Sequence, residues 1–279
     1  MRIAADQPVG LGHLTVLELP PIELLRLAAT VGYASIGLRL YPAFPGSPCY
    51  EIAPGSDTMR EMRRRIEGDG VTVCDIEFVV MDGDFVPVHL APVLEAAQML
   101  GARRLSVCGD DPDRPRMVAN FAALCDLAAG FGLGVDLECM AWRRVASLPD
   151  AVGIVAAAGL PNGGVLIDAL HLARTGGRPI DLLTVPSGRI VAAQLCDAAA
   201  EPPVGHDAIL REARSGRLPP GAGALPLIDL LDALPDGTLL SVEVPMTAPG
   251  SAEERARRIF QATRRLFQNS RDRSPGGVS

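Results

Sequence analysis

The sequence predicts a single (β/α)₈ barrel, and three observations carry that prediction. Short β-like runs alternate with helical runs along the 279 residues, which implies a parallel sheet. Eight β-like runs can be counted, which favours closure into a barrel over an open, doubly wound sheet. No G-x-G-x-x-G follows the first run, so the dinucleotide-binding alternative loses its fingerprint. The length suits one domain, since such barrels commonly run to about 250 residues. The barrel is assigned to residues 1–268 and a flexible C-terminal tail to 269–279.

The predicted strands are Arg2–Ala5, Ala34–Leu40, Val71–Val79, Arg104–Cys108, Gly134–Cys139, Gly164–Asp168, Ile190–Cys196 and Leu239–Val244. Between them the clearest helical patterns are Pro87–Leu100, Arg116–Phe131 and Ala252–Leu266, and Ile22, Leu25 and Ala29 give the first helix its apolar stripe. The segment Pro202–Gly223, rich in Pro, Gly and Arg, reads as a long loop after the seventh strand and as a lid or rim over a pocket.

Composition limits function. Hydrophobic residues make up 48% and charged residues 21%, enough for a sizeable core. No apolar run reaches the roughly 18 residues of a bilayer span, and Met1–Asp6 lacks a signal-peptide layout, so a cytoplasmic protein without membrane partners is expected. A net charge of −7 opposes nucleic-acid binding. A homo-oligomer is compatible with this composition. The six cysteines contain no C-x-x-C pair and read as reduced, buried thiols. Every basic side chain is Arg or His. With no lysine, Schiff-base aldolase chemistry, PLP anchoring and P-loop nucleotide binding are excluded.

The late strands carry the chemistry. Glu138 ends strand five, Asp168 ends strand six, Gln194 lies in strand seven and Glu243 in strand eight, each within an apolar run. Buried charge is costly unless paired or bound to metal. In a barrel, four such residues at the C-terminal ends of adjacent strands converge on one point. Three carboxylates and one amide make an oxygen-rich site for Mn²⁺ or Mg²⁺. Glu77 is a supporting residue beside that site, and Asp197 a candidate for orienting a ligand or an arginine. His13, after the first strand, is a candidate substrate contact. His89 reads as structural, and Trp142 and Met140 as walls of the pocket.

The most specific motif is Asp168-Ala-Leu-His171-Leu-Ala-Arg174-Thr-Gly176. With it, the chain resembles the sugar phosphate isomerase/epimerase superfamily of xylose-isomerase-like TIM barrels, whose D-x-x-H-x-x-R-x-G pattern it matches in full. Glu138 and Glu243 match the family's strand-five and strand-eight Glu, and Gln194 matches the members that carry Gln rather than His on strand seven. Arg217-Leu-Pro-Pro-Gly221-Ala-Gly223 looks like the family's Arg-x-Pro-Gly-x-Gly loop. Two positions depart from the pattern: Ala222 and Arg39 stand where many members have Glu. Arg39 either meets an anionic substrate group or pairs with Glu77.

The resemblance implies that Glu138, Asp168, Gln194 and Glu243 hold a divalent metal. It also implies that Glu138 and Glu243 act as an acid/base pair, and that His171 and Arg217 contact substrate. The expected activity is isomerisation or epimerisation of a small sugar-like or hydroxy-carbonyl compound through an enediolate. The alternatives are a dehydratase of the inosose or dehydroshikimate type on the same barrel and a non-catalytic accessory barrel. An endonuclease of the same superfamily would need more His ligands and a basic face.

Overall fold

The structure is a computed structural model that describes residue 4 and residues 6–272. Eight parallel strands close a barrel in sequence order. They are β1 Gly10–Leu11, β2 Ser35–Arg39, β3 Thr72–Met81, β4 Arg104–Gly109, β5 Gly134–Glu138, β6 Gly163–Asp168, β7 Ile190–Leu195 and β8 Leu239–Val242. Among the described residues nine α-helices accompany them: α1 Pro21–Val31, α2 Asp57–Asp69, α3 Ala91–Met99, α4 Arg114–Ala129, α5 Leu148–Ala158, α6 Ala169–Arg174, α7 His206–Ser215, α8 Leu227–Ala233 and α9 Ala252–Asp272. Among the described residues no helix is long and apolar enough to cross a membrane, and all six cysteines are free thiols.

Seven predicted strands lie where expected, within a few residues. The first does not. The barrel takes Gly10–Leu11, paired to β2 and β8. The segment Arg2–Ala5 lies, Ala4 aside, outside the described residues. The predicted loop 202–223 is corrected as well, because it contains α7, which opens at exposed His206. At the C-terminus α9 runs to Asp272, so residues 269–272 are helix rather than tail. His89 sits exposed in a short 3₁₀ turn, Pro87–Leu90, rather than in the helix that follows.

Local chemistry explains the elements. Helix α9 buries Ala256, Ile259, Thr263, Leu266 and Phe267, a spacing of three and four residues that forms one face. Side chains of Ser56, Asp113 and Ser147 accept the first free amides of α2, α4 and α5. Helix α1 ends at Gly32 with φ 105°, a conformation that only glycine adopts without strain.

Strand periodicity sorts polar residues into layers of the barrel interior. Asp136 and Glu138 are two apart and face the same way. Asp136 lies in the lower layer and pairs through both oxygens with Arg104 on β4. Glu138 lies one layer up, at the mouth. Glycines give the lower pair room: a Cβ on Gly134 would collide with the Arg104 guanidinium, and one on Gly164 would meet Asp136 Oδ1 at 2.6 Å.

Candidate metal and substrate site

The mouth is built from strand ends and two loops. Asp168 is the last residue of β6 and the N-cap of α6. Its Oδ1 accepts the His171 amide at 2.9 Å, so the helix start aims the carboxylate. Gln194 on β7 is its register partner. Glu243 follows β8, and its amide donates to Leu195 O at 3.2 Å.

Arg217 enters from the rim. The loop that carries it is held by Asp197, whose carboxylate accepts the amides of Ala198, Gly221 and Leu225 at 2.9, 3.0 and 2.9 Å. Gly223 is required there, because a Cβ would meet Ala198 O at 2.2 Å. Asp197 therefore orients an arginine through backbone, not by side-chain contact. Far from being a solvated loop residue, Arg217 is fully buried. Its Nη1 donates to Asp168 Oδ2 at 2.5 Å, and its Nη2 lies 3.1 Å from Glu243 Oε2 and 3.4 Å from His171 Nε2. The motif residue Arg174 faces elsewhere, pairing with Glu212 and tying α6 to the rim helix α7.

A cavity of about 150 Å³ opens over this cluster. Glu138, Gln194, Glu243, His171, Arg217 and Arg39 all line it, with Met140 and Trp142 as walls. Asp168 lies behind Arg217 and His171 and does not line it. His13 does not line it either, and its expected substrate contact is corrected. The ring is wholly buried, with Nδ1 accepting the Arg39 amide at 3.0 Å and Nε2 against Leu19 O at 2.9 Å, so both nitrogens are spent on structure. Glu77, expected to support the metal site, lines the cavity and braces the turn after β1. It accepts the amides of His13 and Leu14 at 2.7 and 3.2 Å, and it reaches them across Gly37, where a Cβ would lie 2.3 Å from Oε1. Ser106, Phe78, Phe44, Arg143 and Arg214 also line the cavity. Sequence reasoning missed them. Phe44 and Arg143 stand in strand-to-helix loops on the mouth side, and that placement was the available signal.

Burial sets the electrostatics. It pushes the Glu138 carboxyl well above its usual range, reinforced by Asp168 and Glu243. Burial likewise lifts Glu243 to about 7 against the opposing pull of Arg217. Asp168 is also buried, but Arg217 and His171 override that and hold it below its usual value. Burial lowers His171 to about 4, leaving a neutral imidazole.

The residues fit a divalent cation. Of the three buried carboxylates Arg217 contacts only those of Asp168 and Glu243, and Glu138 Oε1 is buried without any hydrogen-bond partner. Glu138, Asp168 and His171 each offer a ligand atom within 4.8 Å of the others. His171, expected to touch substrate, is thus also a candidate ligand. Gln194 Nε2 donates to Glu243 Oε1 at 3.4 Å.

An eight-stranded parallel barrel with polar side chains converging at the C-terminal ends of its strands defines the class of TIM barrels. A family model described as xylose isomerase-like TIM barrel matches residues 25–266, and the chain belongs to that family. Among solved structures, an IolI protein with a bound zinc atom is 18% identical, covering 95% of this chain and 98% of that one with a TM-score of 0.75. A 3-keto-D-glucoside 4-epimerase, YcjR, from E. coli is 16% identical, covering 92% and 98% with a TM-score of 0.69. A xylose isomerase-like TIM barrel/4-hydroxyphenylpyruvate dioxygenase fusion protein is 19% identical, with a TM-score of 0.74. There the match covers 96% of this chain but only 45% of the fusion protein. A search of curated protein sequences returns no match.

Proposed function

We propose that this chain is a divalent-metal-dependent isomerase or epimerase of a small sugar-like or hydroxy-carbonyl compound. One observation carries the reading: Glu138 and Glu243 are both buried, both line one small cavity, and one Glu138 oxygen has no partner. The strands that bear them are three apart in the barrel, so the two carboxyls approach a bound substrate from different sides.

Glu138, Asp168, Gln194 and Glu243 would hold the ion, with His171 adjoining. Oxygen-rich ligation of this kind favours Mn²⁺ or Mg²⁺. When bound, such an ion polarises a carbonyl and acidifies the C–H beside it. One glutamate then takes the proton and the other returns it. Transfer between faces epimerises the carbon, and transfer along one face interconverts carbonyl and hydroxyl positions. Arg217 keeps Asp168 ionised and fixes Glu243. The apolar walls around Trp142 and Met140 keep water from the carbanionic carbon. The zinc of the IolI structure and the activity of the 4-epimerase support this class of chemistry.

The test is metal analysis of the purified protein, followed by a panel of small hydroxy-carbonyl compounds in D₂O. Deuterium entering the carbon next to the carbonyl, dependent on the metal, is the expected result. Loss of a β-hydroxyl with that exchange would turn the reading toward dehydration, and no exchange with any compound would oppose it.

A further inference from the structure

Arg39 is a buried cation with unused donors at the wall of the catalytic cavity. It is 4% exposed and lines the cavity. Its Nε and Nη2 are both out of contact with solvent and have no hydrogen-bond partner. Glu77 neutralises it without bonding it. The nearest approach is 3.6 Å, and both Glu77 oxygens are already committed to the amides of His13 and Leu14. On another side the guanidinium lies over the Phe78 ring, 5.1 Å from its centre, which orients the cation but supplies no acceptor.

Elsewhere this protein repeatedly turns that same edge of the guanidinium to a carboxylate. Arg104, Arg116 and Arg174 each direct Nε and Nη2 together at a single carboxylate, those of Asp136, Asp111 and Glu212. The fork of two parallel N–H groups matches the two oxygens of a carboxylate. A buried donor left unpaired is destabilising, and a ligand that pairs it recovers that loss on binding. The cavity is small. At about 150 Å³ it is the size of cavities that admit a single six-membered ring.

We infer that the substrate is a small hydroxy acid or keto acid whose carboxylate binds Arg39, with its hydroxy-carbonyl end toward Glu138 and Glu243. This rests on the reading of the cavity as the catalytic site. Arg39 then sets specificity: it separates acids from the neutral sugars of the same length.

Trp142, the only tryptophan of the chain, lines the cavity and makes an edge contact with His171, so its fluorescence reports occupancy. The protein as purified is titrated with glycerate, with glycerol as the neutral analogue and with inorganic phosphate. Saturable binding of glycerate but not glycerol is expected. Arg39→Met weakens it by about tenfold or more, as loss of a charge-assisted pair requires, and Arg39→Lys falls between. Circular dichroism establishes that each variant is folded, and Arg39→Lys carries the test if Arg39→Met is not. Absence of glycerate binding, equal affinity in folded Arg39 variants, or equal binding of glycerol overturns the inference. Arg39-dependent binding of phosphate tighter than that of glycerate overturns it in favour of a phosphate ester. The outcomes stay separate from those of the catalytic reading. Arg39-dependent glycerate binding without metal-dependent deuterium exchange refutes the catalysis and leaves the carboxylate site standing.

Discussion

Arg217 Nη1 binds the Asp168 oxygen that α6 leaves free: one carboxylate oxygen caps the helix and the other takes the guanidinium. Both side chains are buried, so neither has water as an alternative partner. Removing one member strands the other charge. Arg217→Met is expected to destabilise the fold by about 3–5 kcal/mol, the usual cost of breaking a buried pair. Urea unfolding of the two proteins in metal-free buffer measures it, and a change below about 1 kcal/mol, the scale of an exposed pair, would show that the pair is not desolvated.

Glu138→Gln and Asp168→Asn are each expected to weaken Mn²⁺ or Mg²⁺ binding sharply. Both remove a negative ligand from the cluster, and the first alters the oxygen that has no partner within the protein. Isothermal calorimetry is the measurement. Unchanged affinity in both variants would remove the metal from this position.

Glu243→Gln keeps the shape of a cavity wall and deletes a proton acceptor. Turnover on the true substrate should fall by at least about 10²-fold, the typical contribution of a general base. Metal occupancy is measured in the same sample, since the same change can loosen the ion. A metal-replete variant with near-normal turnover would assign the proton transfer elsewhere.

Two buried groups outside the metal cluster tie stability to pH with opposite signs. Burial holds His13 below its ordinary 6.5, so its contribution is present above that value and is lost as pH falls below it. Asp75, beneath the mouth, is raised by burial and by Glu77 from 3.8 to about 8. Its contribution is complete below 3.8 and declines as pH rises toward 8. Between 6.5 and 8 only the Asp75 effect acts, so urea midpoints should fall as pH rises, whereas below 6.5 the two effects oppose each other and the midpoints should level off. Asp75→Asn should flatten the limb above 6.5 and leave a decline below it, whereas His13→Gln should turn the plateau below 6.5 into a further rise toward acid pH. Limbs unchanged in the two variants would assign the pH dependence to other groups.

Much of this was legible in the sequence because the late strands are apolar runs in which the few polar side chains stand out. Glu138, Gln194 and Glu243 could be placed at one level by counting strands, and the cavity unites them. Short elements were not legible. Gly10–Leu11 carries no alternation to detect, and Arg2–Ala5 looked more like a strand than it does. The burial of Arg217 was hidden by composition: a segment dense in Pro, Gly and Arg reads as solvated, yet Asp197 folds it inward through three backbone amides. His13 misled in the opposite direction, since a histidine beyond a barrel strand invites a ligand role until its two nitrogens are found engaged.

The brevity of β1 has a dynamic consequence. Two residues join β8 to β2, and the junction is otherwise carried by the bonds of Gly12, Thr15 and Val244 around Val242. Amides along this seam should exchange with solvent deuterons sooner than those of β4 and β5, because fewer bonds must break to release them. Glu243 is the next residue beyond that seam, whereas Glu138 ends a strand registered to both neighbours, opposite Cys108 on β4 and Leu166 on β6. The two carboxyls are thus expected to differ in stiffness as well as acidity, with Glu138 the more firmly held and Glu243 the more mobile.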